Sequence, residues 1–171
     1  MKLPTRQNGF TLIELILYIG LASIILLTTS AFLGTLLESR IKNTTVAEVE
    51  GQGVQVMQIM TQTVRNSENI NSPSTGASSP TLSLNVIDSG NDPTIFDLSA
   101  GTIRIKEGSD PVISLTNSRV QVSNLVFRNL SRASTPGTIE VRFTISHINP
   151  ENKNVYNYSK TFIGVASVRQ P

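Results

Sequence analysis

Glu14 is the only ionised side chain in an apolar run from Phe10 to Leu37, FTLIELILYIGLASIILLTTSAFLGTLL. A carboxylate can accept hydrogen bonds or pair with a cation. Near the centre of a membrane-spanning helix it costs roughly 2.5–3.5 kcal/mol, less toward the interface, so it calls for a partner. Few other residues could do chemistry. The chain has no cysteine, which excludes a disulfide, thiol chemistry and a cysteine zinc site, and its single histidine, His147, precedes Ile148-Asn149-Pro150 at a strand end, where it reads as a surface residue. Asp88 and Asp92 bracket Ser-Gly-Asn and could offer oxygens to calcium, but the ligand spacing of a calcium loop is missing and a plain turn is the simpler reading. No GxSxG elbow and no paired acids in an apolar pocket can be found, so nothing argues for an enzyme, a cofactor or a metal site.

The element that positions Glu14 is long enough to cross a bilayer. Upstream, residues 1–9 (MKLPTRQNG) contain Lys2 and Arg6 and no acid, so the positive-inside rule keeps the N-terminus in the cytoplasm and sends the rest out. A secretory signal has an apolar region of about 7–15 residues before a small-residue cleavage site, and this run is about twice that length. A lipoprotein signal needs a cysteine. A plain signal anchor accounts for Glu14 as an acid at a helix N-terminus, favoured by about 0.3–1 kcal/mol, but leaves the Gly-Phe-Thr before it unexplained.

Gly9-Phe10-Thr11-Leu12-Ile13-Glu14-Leu15 resembles the prepilin signal of type IV pilins and type II secretion pseudopilins. That resemblance implies cleavage after Gly9 by a prepilin peptidase/methyltransferase on the cytoplasmic face, and N-methylation of the new terminus at Phe10. It also implies that Glu14 pairs during assembly with the amine of Phe10 on an adjacent subunit, the chain's own amine four residues back being a competing partner. The partners it implies are other pilins or minor pseudopilins, an inner-membrane assembly platform, and membrane lipid before assembly. Tyr18-Ile19-Gly20, the segment 120–127 and the ending Thr161 to Arg169 resemble J-type minor pseudopilins. Many major pilins close a C-terminal loop with a disulfide, which this chain cannot form. They also carry a proline near mid-membrane, where this chain has Ala31.

The sequence pI near 9.2 suggests nucleic acid, but its basic excess lies in the leader. Without Lys2 and Arg6 the chain has 12 bases against 12 acids, and no Lys/Arg cluster forms a phosphate-tracking stripe, so direct nucleic-acid binding is not expected. Past Leu37 the pattern becomes amphipathic: Val46, Val49, Gly53, Val56, Met57, Met60 and Val64 recur at steps of three and four. One helix is expected to continue to about Asn66, roughly 85 Å at about 1.5 Å per residue. Gly34, Gly51 and Gly53 each weaken it by about 1 kcal/mol relative to alanine, and Gly34 could equally serve close packing against a neighbouring helix.

The organisation read from the sequence is a cleaved leader over 1–9, a transmembrane and filament-core helix over 10–37, an amphipathic continuation over 38–68, a Ser/Pro/Gly-rich linker over 69–80, and an antiparallel β domain over 81–171. Strands are expected at 81–87, 94–98, 102–106, 112–115, 119–127, 138–148 and 155–168. In 138–148 the residues Ile139, Val141, Phe143 and Ile145 share a face that needs a cover, and the helix stripe is the available one. The fold class is α+β, a long N-terminal helix on an antiparallel sheet, which resembles the pilin fold. Two functions fit: a structural, minor filament subunit with its domain outside the inner membrane, or a signal-anchored surface binding domain that never joins a filament.

Overall fold

The computed structural model describes residues 9–133 and 135–169. Helix α1 spans Leu12–Arg65 without a break, and tertiary contacts divide the chain into two units, residues 1–41 and 42–171. Among the described residues α1 is the one helix long and apolar enough to cross a membrane.

In the first unit nearly every apolar side chain of the helix is exposed, Leu12 at 77%. So large an exposed apolar surface needs lipid or neighbouring helices to cover it. Several hydroxyls in this stretch bond back along the helix: Ser23 donates to the carbonyl of Ile19 at 2.7 Å, Thr29 to Ile25 at 2.8 Å and Thr35 to Phe32 at 2.8 Å. Bonding back to the preceding turn lets these polar side chains sit in hydrocarbon without water.

The second unit holds the core. Thr45, Val49, Gly53, Val56, Met60 and Val64 form the buried stripe of α1. Met57 is only half-buried, and Val46 gives its place at the head of the stripe to Thr45. The strands are β1 (Ser67–Ser72), β2 (Ser78–Ser79), β3 (Leu82–Val86), β4 (Thr94–Ser99), β5 (Thr102–Glu107), β6 (Ile113–Ser114), β7 (Val120–Asn129), β8 (Thr138–His147) and β9 (Ser159–Ser167). They form two antiparallel sheets, ordered β1-β3-β4-β5-β6 and β2-β7-β8-β9, where the sequence predicts one antiparallel sheet. Leu82, Leu84, Phe96 and Ile103 of the first sheet and Phe127, Ile139, Val141, Phe143 and Ile145 of the second meet the helix stripe in one core.

Residues 69–80, read as a linker, need correction. They hold most of β1 and all of β2, and Asn129 fastens them to β7. Its side-chain amide donates to the Pro73 carbonyl at 2.7 Å, its backbone N–H donates to Ala77, and its carbonyl accepts from Gly76. Asn129 is buried, so these bonds replace the water that a Ser/Asn/Pro-rich segment would otherwise require. The expected strand 155–168 starts later, because Asn154–Tyr156 form a 3-10 turn.

In β7 one extra residue changes the alternation. Ser123 pairs with Thr144 and Val126 with Arg142, so three steps on β7 oppose two on β8. Asn124 takes up the bulge at φ 53°, a left-handed conformation that asparagine tolerates better than most residues. The inward phase thereby moves from Val120 and Val122 to Leu125 and Phe127, all buried.

Gly53 is where the helix approaches β9. A Cβ there would collide with the ring of Phe162, which stacks on Phe143 with centroids 5.4 Å apart, whereas a Cβ at Gly51 meets nothing within 4 Å. Two substitutions a helical half-turn apart should therefore have opposite signs. Gly51→Ala should stabilise by up to about 1 kcal/mol through helix propensity, and Gly53→Ala should lose about 1–3 kcal/mol to overpacking. Thermal unfolding of the detergent-solubilised protein measures both, and equal stabilisation by the two would show that the approach to Phe162 imposes no constraint.

Candidate processing and assembly site

Thr11 precedes the first helical residue. Its hydroxyl accepts the Glu14 backbone N–H at 3.4 Å and its carbonyl accepts the N–H of Leu15 at 3.1 Å, the start of a capping arrangement. The signal was present in the sequence as Thr-x-x-Glu. Glu14 lies in the first turn, the end of the helix where its charge is favourable. It is half-buried among exposed neighbours, and the Tyr18 hydroxyl, one turn on, donates to its Oε1 at 3.3 Å. The Phe10 ring meets Tyr18 edge-on at 6.1 Å. Tyr18 thus touches both residues expected to matter in assembly, a role its spacing four after Glu14 could have indicated. Gly9 lies before the helix, exposed, with nothing within 4 Å of the position a Cβ would take. Residues 1–8 of the expected leader lie outside the described residues.

His147 is a correction to the surface reading. Its side chain is 13% exposed, its ring stacks on Tyr156 at 5.6 Å, and its Nε2 lies 3.8 Å from Glu48 Oε2. Glu48 also accepts the Asn117 side-chain amide at 3.0 Å and lies 3.5 Å from Arg119 Nη1. Polar residues flanking the helix stripe therefore tie α1 to the turn before β7 and to the end of β8. The carboxylates at 88 and 92 serve their own turn: Asp88 accepts the Gly90 N–H at 3.0 Å, and Asp92 accepts the Val86 N–H at 3.2 Å. Among the described residues no three His, Cys, Asp or Glu side chains are grouped to hold a metal.

A second polar tie holds β9. Glu50 Oε1 accepts from Lys160 Nζ at 2.6 Å and from the Tyr158 hydroxyl at 3.0 Å. Hydrogen bonding from Lys160, then from Tyr158, holds the Glu50 carboxyl below its usual range, and the same contact with Glu50 raises Lys160. A lowered carboxyl pKa contributes stability that is present above the unfolded value, about 4.3, and is lost as pH falls through the folded one. The unfolding midpoint of Lys160→Met should lie below that of the parent at neutral pH, and the gap should close as pH falls through the lowered pKa of Glu50. The pair is exposed, so the gap is small. A gap that is constant from neutral to acid pH would show that Lys160 acts through its position over the Phe162 ring, whose centroid lies 5.7 Å from its Nζ, and not through Glu50.

The family described as the prokaryotic N-terminal methylation motif matches residues 4–30. The chain carries that motif. The match contains Gly9, Phe10, Thr11, Glu14 and Tyr18, and it ends at Ser30, well before the amphipathic part of α1. No curated protein and no solved structure matches the chain. The methylation motif, with an apolar N-terminal helix continuing onto antiparallel sheets, supports the type IV pilin-like and pseudopilin superfamily. The motif and the exposed apolar helix together suggest anchoring in a membrane through the N-terminal part of the chain.

Proposed function

We propose that this chain is a structural subunit, in a minor position, of a type II secretion pseudopilus or a type IV pilus-like filament. A prepilin peptidase/methyltransferase cuts after Gly9 and methylates Phe10. The chain then waits in the inner membrane with its N-terminus inside and residues 42–171 outside, and an assembly platform moves it into a filament of other pilins or minor pseudopilins. The observation that carries this reading is the methylation motif at residues 4–30, with one half-buried carboxylate, Glu14, in a stretch of α1 up to Leu37 that is otherwise exposed and carries no other charge. The exposed surface suits lipid first and neighbouring helices later, and Glu14 supplies the single charge that can set their register.

The lack of cysteine and the likeness of Tyr18-Ile19-Gly20 to J-type minor pseudopilins favour a minor position. Such a subunit does not polymerise alone, so long homopolymers from cells lacking all other pilins would identify a major subunit instead. Intact-mass measurement of the membrane-extracted protein tests the reading. The expected mass is that of residues 10–171 plus one methyl group, while a mass that still includes residues 1–9 would identify a simple signal anchor.

A further inference from the structure

The two sheets have four edges, and three of them are blunted. β2 and β6 are two residues long, and the pairing of β1 with β3 is interrupted by two register shifts. The fourth edge is β9, nine residues in unbroken register with β8 and without proline. Long, regular edges present a template to other chains, and natural proteins usually shorten, twist or cover them. Here one edge has been left open.

The parity of the ladder gives the orientation of its backbone. At one end the His147 N–H donates to the Tyr158 carbonyl, and at the other the Val168 N–H donates to the Gly137 carbonyl. Even-numbered residues of β9 therefore direct their N–H and C=O groups toward β8, and Ser159, Thr161, Ile163, Val165 and Ser167 direct theirs outward. Among the described residues these outward groups meet no protein partner. Arg169, next in this parity, donates outward to the Arg65 carbonyl at the end of α1. Beside the C-terminal end of this edge lies a groove of about 940 Å³ between β9 and the end of α1, where Gln58, Gln62, Arg65 and Asn66 face Val165, Ala166, Ser167 and Arg169. It contains two arginines and no acid, and neither arginine is ion-paired among the described residues. On the solvent side of the sheet Ile163 and Val165 are 58% and 53% exposed.

We propose that this groove is a docking site for an extended segment of another protein chain, which adds to the second sheet as a fifth strand antiparallel to β9. Unpaired backbone groups at strand spacing fit an extended chain and not a helix. The two faces of the edge fix its chemistry: apolar or β-branched side chains alternate on the outside, beside Ile163 and Val165, and carboxylate or amide side chains point inward to Arg65, Arg169 and the glutamines. A second copy of this chain does not fit the same edge. β9 runs in the direction of α1, with Lys160 at Glu50, the Phe162 ring at Gly53, Gly164 at Met57 and Arg169 at Arg65. Two-fold pairing of β9 with β9 would therefore set residues 42–65 of the two copies in opposite directions, and β9, which carries Lys160 and no acid, would offer the two arginines no carboxylate.

The test uses the detergent-solubilised full chain and a nine-residue peptide of alternating valine and glutamate. Backbone amide exchange should slow about ten-fold or more at Thr161, Ile163, Val165 and Ser167 when the peptide is added, and should be unchanged at Phe162, Gly164 and Ala166. Val165→Pro removes an N–H that the fold does not use, so it should keep the thermal midpoint and abolish the slowing. Arg65→Glu should weaken the effect, with recovery on a peptide of alternating valine and lysine. No slowing with the peptide, or equal slowing in Val165→Pro, would overturn the proposal. Slowing that rises with protein concentration and needs no peptide would identify self-pairing and overturn the choice of a different chain. None of these readouts depends on leader cleavage or filament assembly.

Discussion

Replacing Gly9 with tryptophan is expected to leave the full-length precursor in the membrane, with residues 1–9 still present in its intact mass and no methyl group on Phe10. The argument separates the fold from the processing site. Gly9 lies before α1, and a Cβ there meets nothing within 4 Å among the described residues. The residues that hold the second unit together lie beyond Lys42, and its unfolding midpoint should be unchanged. What changes is the fit to a peptidase that must bring the bond between residues 9 and 10 to its reacting groups. A site shaped for a small residue discriminates by about 1–3 kcal/mol for each misplaced methylene, and an indole is several of these, so cleavage should fall by roughly a hundred-fold or more. Gly9→Ala should fall far less. Cleavage of Gly9→Trp at the parent rate would remove Gly9 from the processing site and with it the central step of the proposed function.

Much of the architecture was legible because it rests on periodicity. The helix stripe from Val49 to Val64 and the inward face of β8 are buried as the 3.6-residue and two-residue repeats require. What escaped was written in single residues. Asn129, a polar residue in a strand, secures residues 73–77 through three hydrogen bonds and makes sheet structure out of a segment whose composition reads as a connector. Asn124 shifts the phase of β7 by one residue, and no repeat announces a bulge. Gly53 looks like a weak point in a helix until Phe162 is seen against it. His147 is enclosed by Tyr156 and Glu48, which lie 9 and 99 positions away in the chain, a distance over which local pattern carries no information. At the N-terminus Thr11 and Tyr18 were visible as residues three before and four after Glu14, and their relation to it needed only the geometry of one helical turn.

Glu14→Ala is expected to affect two steps in opposite directions. In the isolated chain the carboxylate accepts a modest hydrogen bond from the Tyr18 hydroxyl at 3.3 Å, within a stretch of α1 whose exposed apolar side chains favour lipid. Removing the charge should ease insertion of the monomer by up to a few kcal/mol, and the bond after Gly9 should still be cut, because neither Gly9 nor Phe10 changes. In the proposed filament the same carboxylate pairs with the methylated amine of Phe10 on a neighbour, in surroundings poor in water. Loss of one member of a buried pair costs about 3–5 kcal/mol because the other charge stays behind uncompensated, a deficit large enough to keep the subunit out of the filament. Tyr18→Phe gives the comparison: it removes a neutral donor worth about 0.5–1.5 kcal/mol, so it should lower incorporation far less than Glu14→Ala. Membrane fractionation, intact mass and the yield of sheared filaments measure insertion, processing and assembly separately. Normal insertion and methylation with little or no incorporation is the expected result. Incorporation of Glu14→Ala at the parent level would show that Glu14 serves only to start the helix.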